Sequence, residues 1–551
     1  MIKERTRLID GFLTIERGVN SGIAPTLLQS PQCAAATNIT FRGGYPRTRP
    51  AFRLVGTLPT GRIQGISYFK DGMGRAMIVG FYDGRCYRTS GDGVGGLVNL
   101  DVTVDADLRL FPKSKQVYFQ QVESFLVCQD GRSKAIIYAG GADTRRAADD
   151  EVPVGKAMAY GLGRLAVAQE NRIYLGDIVG GPTSPLKFTE TTYLAEGGSF
   201  RIPVEAGVEG INGMEFVPLG DTATGQGELV IGSDSSITTI NTALPREQWK
   251  STTVQRVATR GSGIASDKSL VLVNSDLWMR STDGIRSYRM ARAEFAQWGQ
   301  TPQSREVSYI LDYDDERMLD GISGALFDNR LLMTANPRPD RSCEGLVVLD
   351  FAPVAQMQGK SPPAYEGLWT LPDFRPVEVI SGDFGTGQEC YVAGVRPSTG
   401  ANVLYQITYD GKMDDGEPIA WSLDTRVFDF RDSFGAKKLM RGDIFADSIH
   451  GDLTLTMAYQ RNCLTEWETW LTKTRDGETE ICMTEDDCFP PCLTDGCYNV
   501  EFGRPPEACT DASWASHGTE FQFRISGTGH MRLRRVRFHA SAMGDEAYAK
   551  C

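Results

Sequence analysis

The sequence predicts a mainly β protein: a β-propeller preceded by an N-terminal arm and followed by a C-terminal antiparallel β-sheet or sandwich domain. Three observations carry this expectation. Short apolar or alternating runs, separated by tight Gly, Asn or Asp turns, recur from about residue 60 to 410, the mark of sequential hairpins. The runs return at a spacing of about 40 to 60 residues, as expected of meander sheets set radially so that each covers the next. Glycine contributes 60 of 551 residues, above the usual ~7%, which fits a turn-rich globular chain.

Residues 1–55 read as an arm. Within it, Ser30 followed by Pro31 and Gln32-Cys33-Ala34-Ala35-Ala36-Thr37 predicts a short helix, with Ser as N-cap and Pro at the first helical position. Gly18, Gly22, Pro25, Gly43, Gly44 and Pro46 surround it, as suits a segment draped over other elements.

Residues 56–415 hold the repeated hairpins. Ile66 to Lys70 leads through Asp71-Gly72 to Ala76 to Tyr82, and then through Asp83-Gly84 to Arg85 to Arg88, which gives three strands in one short stretch. Similar units begin near Phe125, Arg164, Glu228, Ser269, Ala325 and Cys390, which predicts six or seven blades. An elongated run of β-sandwiches is the competing arrangement. Pro245 to Arg256 and Met290 to Arg305 read as connections or short helices.

Residues 416–551 change texture. Ile419 to Phe430 is strand-like, and Gly451 to Tyr459, Thr519 to Ile525 and Met531 to Ala540 alternate with period two. Such strands suit a separate antiparallel sheet with one apolar face. Arg532, Arg534, Arg535 and Arg537 interleave with Leu533, Val536 and Phe538 in the last of them.

The charge sum limits function. Lys and Arg total 58 against 70 Asp and Glu, a net of −12, which argues against a protein that grips nucleic acid by displacing counterions from phosphates. No window reaches the ~18 to 20 apolar residues that cross a bilayer. The first residues mix both signs of charge and lack the apolar core of a secretory signal, so the expectation is a soluble chain made in a cytosol.

No G-x-S-x-G elbow, Walker loop or H-E-x-x-H helix is present, and all four histidines (His450, His517, His530, His539) fall late in the chain. Gly161-Leu162-Gly163-Arg164-Leu165-Ala166 matches a loose G-x-G-x-x-A, but an alternating strand follows it instead of a helix. Ser281-Thr282-Asp283-Gly284 resembles an Asp-box turn and reads as a type I′ hairpin turn. Asp312, Asp314, Asp315 and Glu316 lack the Gly and the closing Glu of an EF-hand and read as a solvated loop. Arg441-Gly442-Asp443 reads as a surface turn. No catalytic, cofactor-binding or metal-binding residues are expected, and no cofactor.

Cysteines crowd into an insertion at about residues 475–515. Cys482, Cys488, Cys492, Cys497 and Cys509, with Cys463 just before, are candidates for a disulfide-stapled insertion. A zinc site, for which only Cys492 and Cys497 have ribbon-like spacing, and free thiols are the alternatives.

The arm resembles a known family on specific residues: Gly18-Val19-Asn20-Ser21-Gly22, Pro25, an Ala-rich turn into Asn38, Phe41-Arg42-Gly43-Gly44, and Thr48-Arg49-Pro50-Ala51-Phe52. With Ile231-Gly232-Ser233 to Ile240, Gly261 to Ala265 and the strand ending in Trp278, the chain is similar to the tail nozzle or tail hub proteins of bacteriophages, the tail tubular B type and related DNA-stabilisation proteins. The Cys-rich insertion departs from that pattern.

The resemblance implies a non-enzymatic structural virion protein in the distal tail tube, made in the host bacterial cytoplasm. It implies a homo-oligomer, a hexameric ring below the portal and adaptor, through which viral genomic DNA passes without specific binding. An acidic lumen would let phosphate slide by. The Arg532 to Arg537 strand would then face an acidic neighbouring subunit. The rivals are a propeller adhesin that reads host glycans and a propeller glycosidase or lyase with paired carboxylates in a deep funnel.

Overall fold

The computed structural model describes residues 7–91, 97–103, 109–142, 144–149, 151–179, 199–201, 210–218, 227–241, 255–294, 302–339, 343–352, 363–462, 464–476, 498–505 and 516–543. The protein is mainly β, and a β-propeller occupies its middle. Among the described residues no helix is long and apolar enough to cross a membrane.

Among the described residues, six four-stranded blades and one three-stranded meander make the ring. Blade 1 runs Ile63–Lys70, Ala76–Tyr82, Arg85–Gly91, Leu97–Asp101. Blade 2 begins with Tyr118–Val122, blade 3 with Met158–Gly161 and blade 4 with Gly213–Val217. The three-stranded meander is Val271–Val273, Asp276–Ser281 and Gly284–Ser287. Blade 5 is Gly324–Phe327, Arg330–Ala335, Gly345–Asp350 and Ala364–Trp369. Blade 6 is Arg375–Asp383, Gln388–Val395, Asn402–Thr408 and, returning from the arm, Ala51–Thr57.

The units meet around a closed circle: first strands touch one another except that blade 4 reaches the meander through the 3-10 turn Asp267–Ser269, and Arg375–Asp383 meets both Ile63–Lys70 and Gly324–Phe327. Hydrophobic burial between faces holds the circle together. Phe69, Val79 and Phe81 of blade 1 pack on Leu126, Cys128 and Ile136 of blade 2, and Ala325, Phe327 and Val348 of blade 5 pack on Val379, Val392 and Tyr405 of blade 6. Cys86, Cys128 and Cys390 are buried free thiols that serve as small apolar residues here.

The hairpins use their expected turn chemistry. Asp83 and Gly84, between Tyr82 and Arg85, both have positive φ (+45° and +80°), as a type I′ turn requires. Leu162 and Gly163 do the same (+54° and +74°), so the loose G-x-G-x-x-A is a hairpin turn. The turn at Ser281–Gly284 differs from expectation. It closes a hairpin, but Thr282 and Asp283 do not have positive φ, so it is not type I′. The Asp283 carboxylate instead accepts from the Ser281 hydroxyl and the Arg286 guanidinium.

Beyond the propeller, Lys437–Arg461 and Phe521–Ala542 form a long antiparallel pair, flanked by Ala420–Phe428 on one side and Glu468–Arg475 on the other. Their register shifts at four places, and such bulges bend a strand. Phe428, Trp470, Phe521, Phe523 and Phe538 fill the core, with Phe523 and Phe538 stacked at 3.6 Å between centroids.

The expected helix after Ser30 does not form. Gln32–Cys33 and Ala35–Thr37 are strands, and the nearby helical turn is the short 3-10 segment Pro25–Leu27. The reason is tertiary. Ala35–Thr37 lies between Ala364–Trp369 of blade 5 and Ala420–Phe428, and it pairs with both, so a single continuous sheet joins the propeller to the C-terminal strands. Arg7–Phe12 adds to the far side by pairing with Phe521–Ala542.

The Arg-Gly-Asp tripeptide is also not a surface turn. It lies inside Lys437–Arg461, with Asp443 buried against Arg537 and His539. Nor is the acidic run at 312–316 a solvated loop throughout: buried Asp314 pairs with Arg280 at 3.0 Å, and Asp315 caps the 3-10 segment Glu316–Gly321. Residues 477–497 and 506–515 lie outside the described residues, and with them Cys482, Cys488, Cys492, Cys497 and Cys509; Cys463 does too.

Candidate functional site: the arm junction and the propeller axis

The residues that carry the arm's resemblance converge on one junction. Asn38 has φ +56°, an αL conformation that Asn tolerates better than most side chains. Its amide is fully used: Nδ2 donates to the Ala420 carbonyl (2.7 Å) and the Thr370 hydroxyl (3.1 Å), while Oδ1 accepts from Thr370 N (2.7 Å) and Arg49 Nε (2.8 Å).

Arg49 is 1% exposed and spends its guanidinium on four partners. Nη1 donates to Pro50 O (2.8 Å) and Asp414 Oδ1 (2.8 Å), and Nη2 to Thr370 O (2.6 Å) and Asp414 Oδ2 (2.6 Å). The Phe52 ring lies 4.4 Å beneath it. Arg42 reaches Asp350 through Nε (3.1 Å) and Nη2 (2.8 Å) and also contacts Asp328. Thr40 donates to buried Glu366, whose other oxygen takes Arg330 Nε at 3.1 Å. Arm, blade 5, blade 6 and the C-terminal sheet are thus fastened by hydrogen-bonded charge pairs, of which Arg49–Asp414 and Arg330–Glu366 are buried on both sides, the arrangement that offsets the cost of desolvation.

A second constellation sits on the propeller axis. A cavity of about 600 Å³ opens there among residues that lead into the inner strands, including Arg62, Gln64, Lys115, Lys268, Arg375 and Glu378. Lys268 lies in the 3-10 turn Asp267–Ser269 and donates to Glu378 Oε2 (3.0 Å) and to the Gln64 carbonyl (3.3 Å). Glu378 also accepts from Ile66 N at 2.9 Å. Burial pushes the Glu378 carboxyl up and Lys268 pulls it back. Gly65 makes the approach possible, because a Cβ there would stand 2.7 Å from both Lys268 Nζ and the Phe119 ring.

Two further acids lie nearby in the chain, Asp267 next to Lys268 in the same turn and Glu215 in the first strand of blade 4. Asp267 accepts from Met214 N at 3.2 Å, and Glu215 accepts from Phe216 N at 3.0 Å. Enclosure by protein raises Asp267 to about 8, aided by the charge of Glu215, and burial raises Glu215 to about 7.

The arginine strand has acidic partners within the chain. Arg532 and Arg534 pair with Asp447 (2.7 and 3.2 Å) and Arg537 with Asp443 (2.5 Å), all on the adjacent strand, while Arg535 lies over Phe445. Among the described residues no cluster of metal-ligating side chains is present. Sequence reasoning quoted Asn38, Arg42 and Arg49 but missed Lys268, Asp267 and Glu215. For Glu378 a signal existed: a lone carboxylate amid Val377, Val379 and Ile380 in an inner strand.

The chain therefore belongs to the broad class of β-propeller proteins. No protein-family model matches it, and no curated protein sequence does. Among solved structures it is similar to the extracellular domain of a one-component system from B. thetaiotaomicron, at 10% identity and a TM-score of 0.39 over 71% of this chain. The match spans 43% of that domain's chain. It is also similar to a catalytically inactive virginiamycin B lyase from Staphylococcus aureus bound to quinupristin, at 10% identity and a TM-score of 0.35, over 64% of this chain and 97% of the lyase. These likenesses are of fold alone.

Proposed function

We propose that the protein is a non-enzymatic structural subunit of a bacteriophage tail, a nozzle or hub component made in the host cytoplasm and carried in the virion. The observation that supports this reading is the arm junction. The residues that carry the resemblance, Asn38, Arg42 and Arg49, are spent on fastening the arm to the propeller and to the strand at Ala420, through Asp350, Asp414, Thr370 and the Ala420 carbonyl. A subunit that transmits load along a tube needs such a weld more than it needs mobility. In a hexameric ring docked on an adaptor, six copies of a −12 chain would repel phosphate and let DNA slide through.

Electron microscopy of the purified protein tests the reading. Six-fold rings, or rings that form on addition of the tail adaptor, are expected; a strictly monomeric protein under both conditions would refute it.

One observation favours a second reading, a propeller lyase or hydrolase: the axial cavity with Lys268 and Glu378 in its wall. Turnover of a polysaccharide panel that is lost in Glu378→Gln would replace the structural reading with the enzymatic one.

A further inference from the structure

The axial cavity carries charges that the protein itself leaves unspent. Four cations and four anions line it, so its wall is neutral in a chain of net charge −12. Two of each are paired: Lys115 Nζ lies 3.1 Å from Asp320 Oδ2, and Lys268 Nζ lies 3.0 Å from Glu378 Oε2. The other four are Arg62, Arg375, Asp315 and Glu344, and among the described residues none of them has an ion-pair partner. Arg62 spends Nη2 on the Lys115 carbonyl at 3.1 Å, and Asp315 accepts from the Arg317 N–H at 3.0 Å.

These four groups are sorted by sign. Arg62 directly precedes the first strand of blade 1 and Arg375 opens the first strand of blade 6, and those two strands touch. Glu344 directly precedes the strand Gly345–Asp350 of blade 5, and Asp315 caps the 3-10 segment Glu316–Gly321 that leads into the same blade. A neutral polar group adds to the set. Gln116 lines the same cavity, and its Nε2 donates to the Tyr118 hydroxyl at 2.6 Å. Its Oε1 is buried without a donor among the described residues, a condition that native structures rarely leave unanswered.

We infer that the axial cavity binds a short peptide with free termini, its carboxylate held by Arg375 and Arg62, its ammonium by Glu344 and Asp315, and a backbone N–H by Gln116 Oε1. The reasons are charge, length and donor chemistry. A ligand of one sign meets as many like charges as opposite ones on this wall, whereas a zwitterion meets each unspent set with its complement. Guanidinium forks suit a carboxylate in particular. A sphere of about 600 Å³ is about 10 Å across, which holds two or three extended residues at about 3.3 to 3.6 Å each. A peptide also supplies the N–H donor that Gln116 lacks. The inference goes beyond both functional readings, because it requires binding and no turnover, and it holds for a tail subunit as for an enzyme.

Calorimetric titration of the full chain with tri-alanine is the test, run beside its N-acetyl and C-amide forms and free alanine. Tri-alanine is expected to bind at millimolar concentration or below, and each blocked form, as well as alanine, to bind about tenfold more weakly. Two variants assign the ends. In Arg375→Gln tri-alanine should bind about tenfold more weakly while C-amidation costs little further, and in Glu344→Gln the same should hold for N-acetylation. Arg375 is exposed and Glu344 half-buried, so neither change should move the thermal unfolding midpoint, which is measured alongside. No heat with tri-alanine, alanine or blocked peptides as tight as tri-alanine, or variants that respond to blocking as the parent does would overturn the inference. Six-fold rings by microscopy with no peptide binding would sink it and leave the tail reading standing.

Discussion

Arg49 grips both carboxylate oxygens of Asp414 at 2.8 and 2.6 Å, joining residues 365 positions apart where arm, propeller and C-terminal segment meet. The same Asp414 Oδ1 accepts from Phe52 N, in the strand that closes the last blade. One buried pair thus takes part both in ring closure and in attachment of the C-terminal segment.

Loss of either partner should expose that dependence. Arg49→Met leaves the Asp414 carboxylate buried without its cation, and removal of one member of such a pair costs about 3 to 5 kcal/mol. Arg49→Lys should be nearly as damaging, since an ammonium cannot reach Asn38, Thr370 and both Asp414 oxygens from one plane. The double variant Arg49→Met with Asp414→Leu should recover part of the loss. Urea denaturation of the four proteins measures this, and equal stability of Arg49→Lys and the parent would remove the fork from the account.

Much of the propeller was legible because its signals are local. Asp83-Gly84 names its own turn, and Val79, Phe81 and the runs around them state a strand without reference to distant sequence. The arm was not legible in that way. Ser30-Pro31 is a sound helix start, yet the edges of Ala364–Trp369 and Ala420–Phe428 have backbone groups to pair, and Ala35–Thr37 pairs with both. Strand neighbours more than three hundred residues away overrode local preference. Lys268 shows the same limit at the axis, because nothing around it announces Glu378. Arg532 to Arg537 were visible as a charged alternation, but their partners Asp443 and Asp447 are set by the register of two long strands.

Asp130 should govern part of the acid limb of stability. Its carboxylate accepts from the backbone N–H groups of Phe111 (2.8 Å), Arg132 (2.9 Å) and Ser133 (2.6 Å), and from the Ser114 and Ser133 hydroxyls. Burial pushes its pKa up, but these donors outweigh that and hold it below the ordinary carboxylate value. A depressed native pKa gives stability that is present above the unfolded value of about 3.9 and is lost as pH falls through the native one. Asp130→Asn turns an amide N–H toward donors and should cost about 1 to 3 kcal/mol at neutral pH. The gap to the parent should narrow below about pH 3; a constant gap from pH 7 to pH 2.5 would show that the charge plays no part.

Asp267 should act in the opposite sense at higher pH. Its native value of about 8 lies above the unfolded carboxylate, so the native state binds the extra proton between those two values. Stability from this group is intact below about pH 4 and falls as pH rises through 8, at up to about 1.4 kcal/mol per pH unit. Asp267→Asn keeps an oxygen for the Met214 N–H and removes the ionisation. The variant should therefore have a flatter stability profile between about pH 5 and 9 and exceed the parent at the upper end. Glu215, raised to about 7 mainly by its own burial, adds to the slope in both proteins and sets the residual pH dependence of the variant. Thermal unfolding midpoints across that range, read for parent and variant in parallel, give the comparison. Parallel curves would mean that Asp267 is ionised throughout.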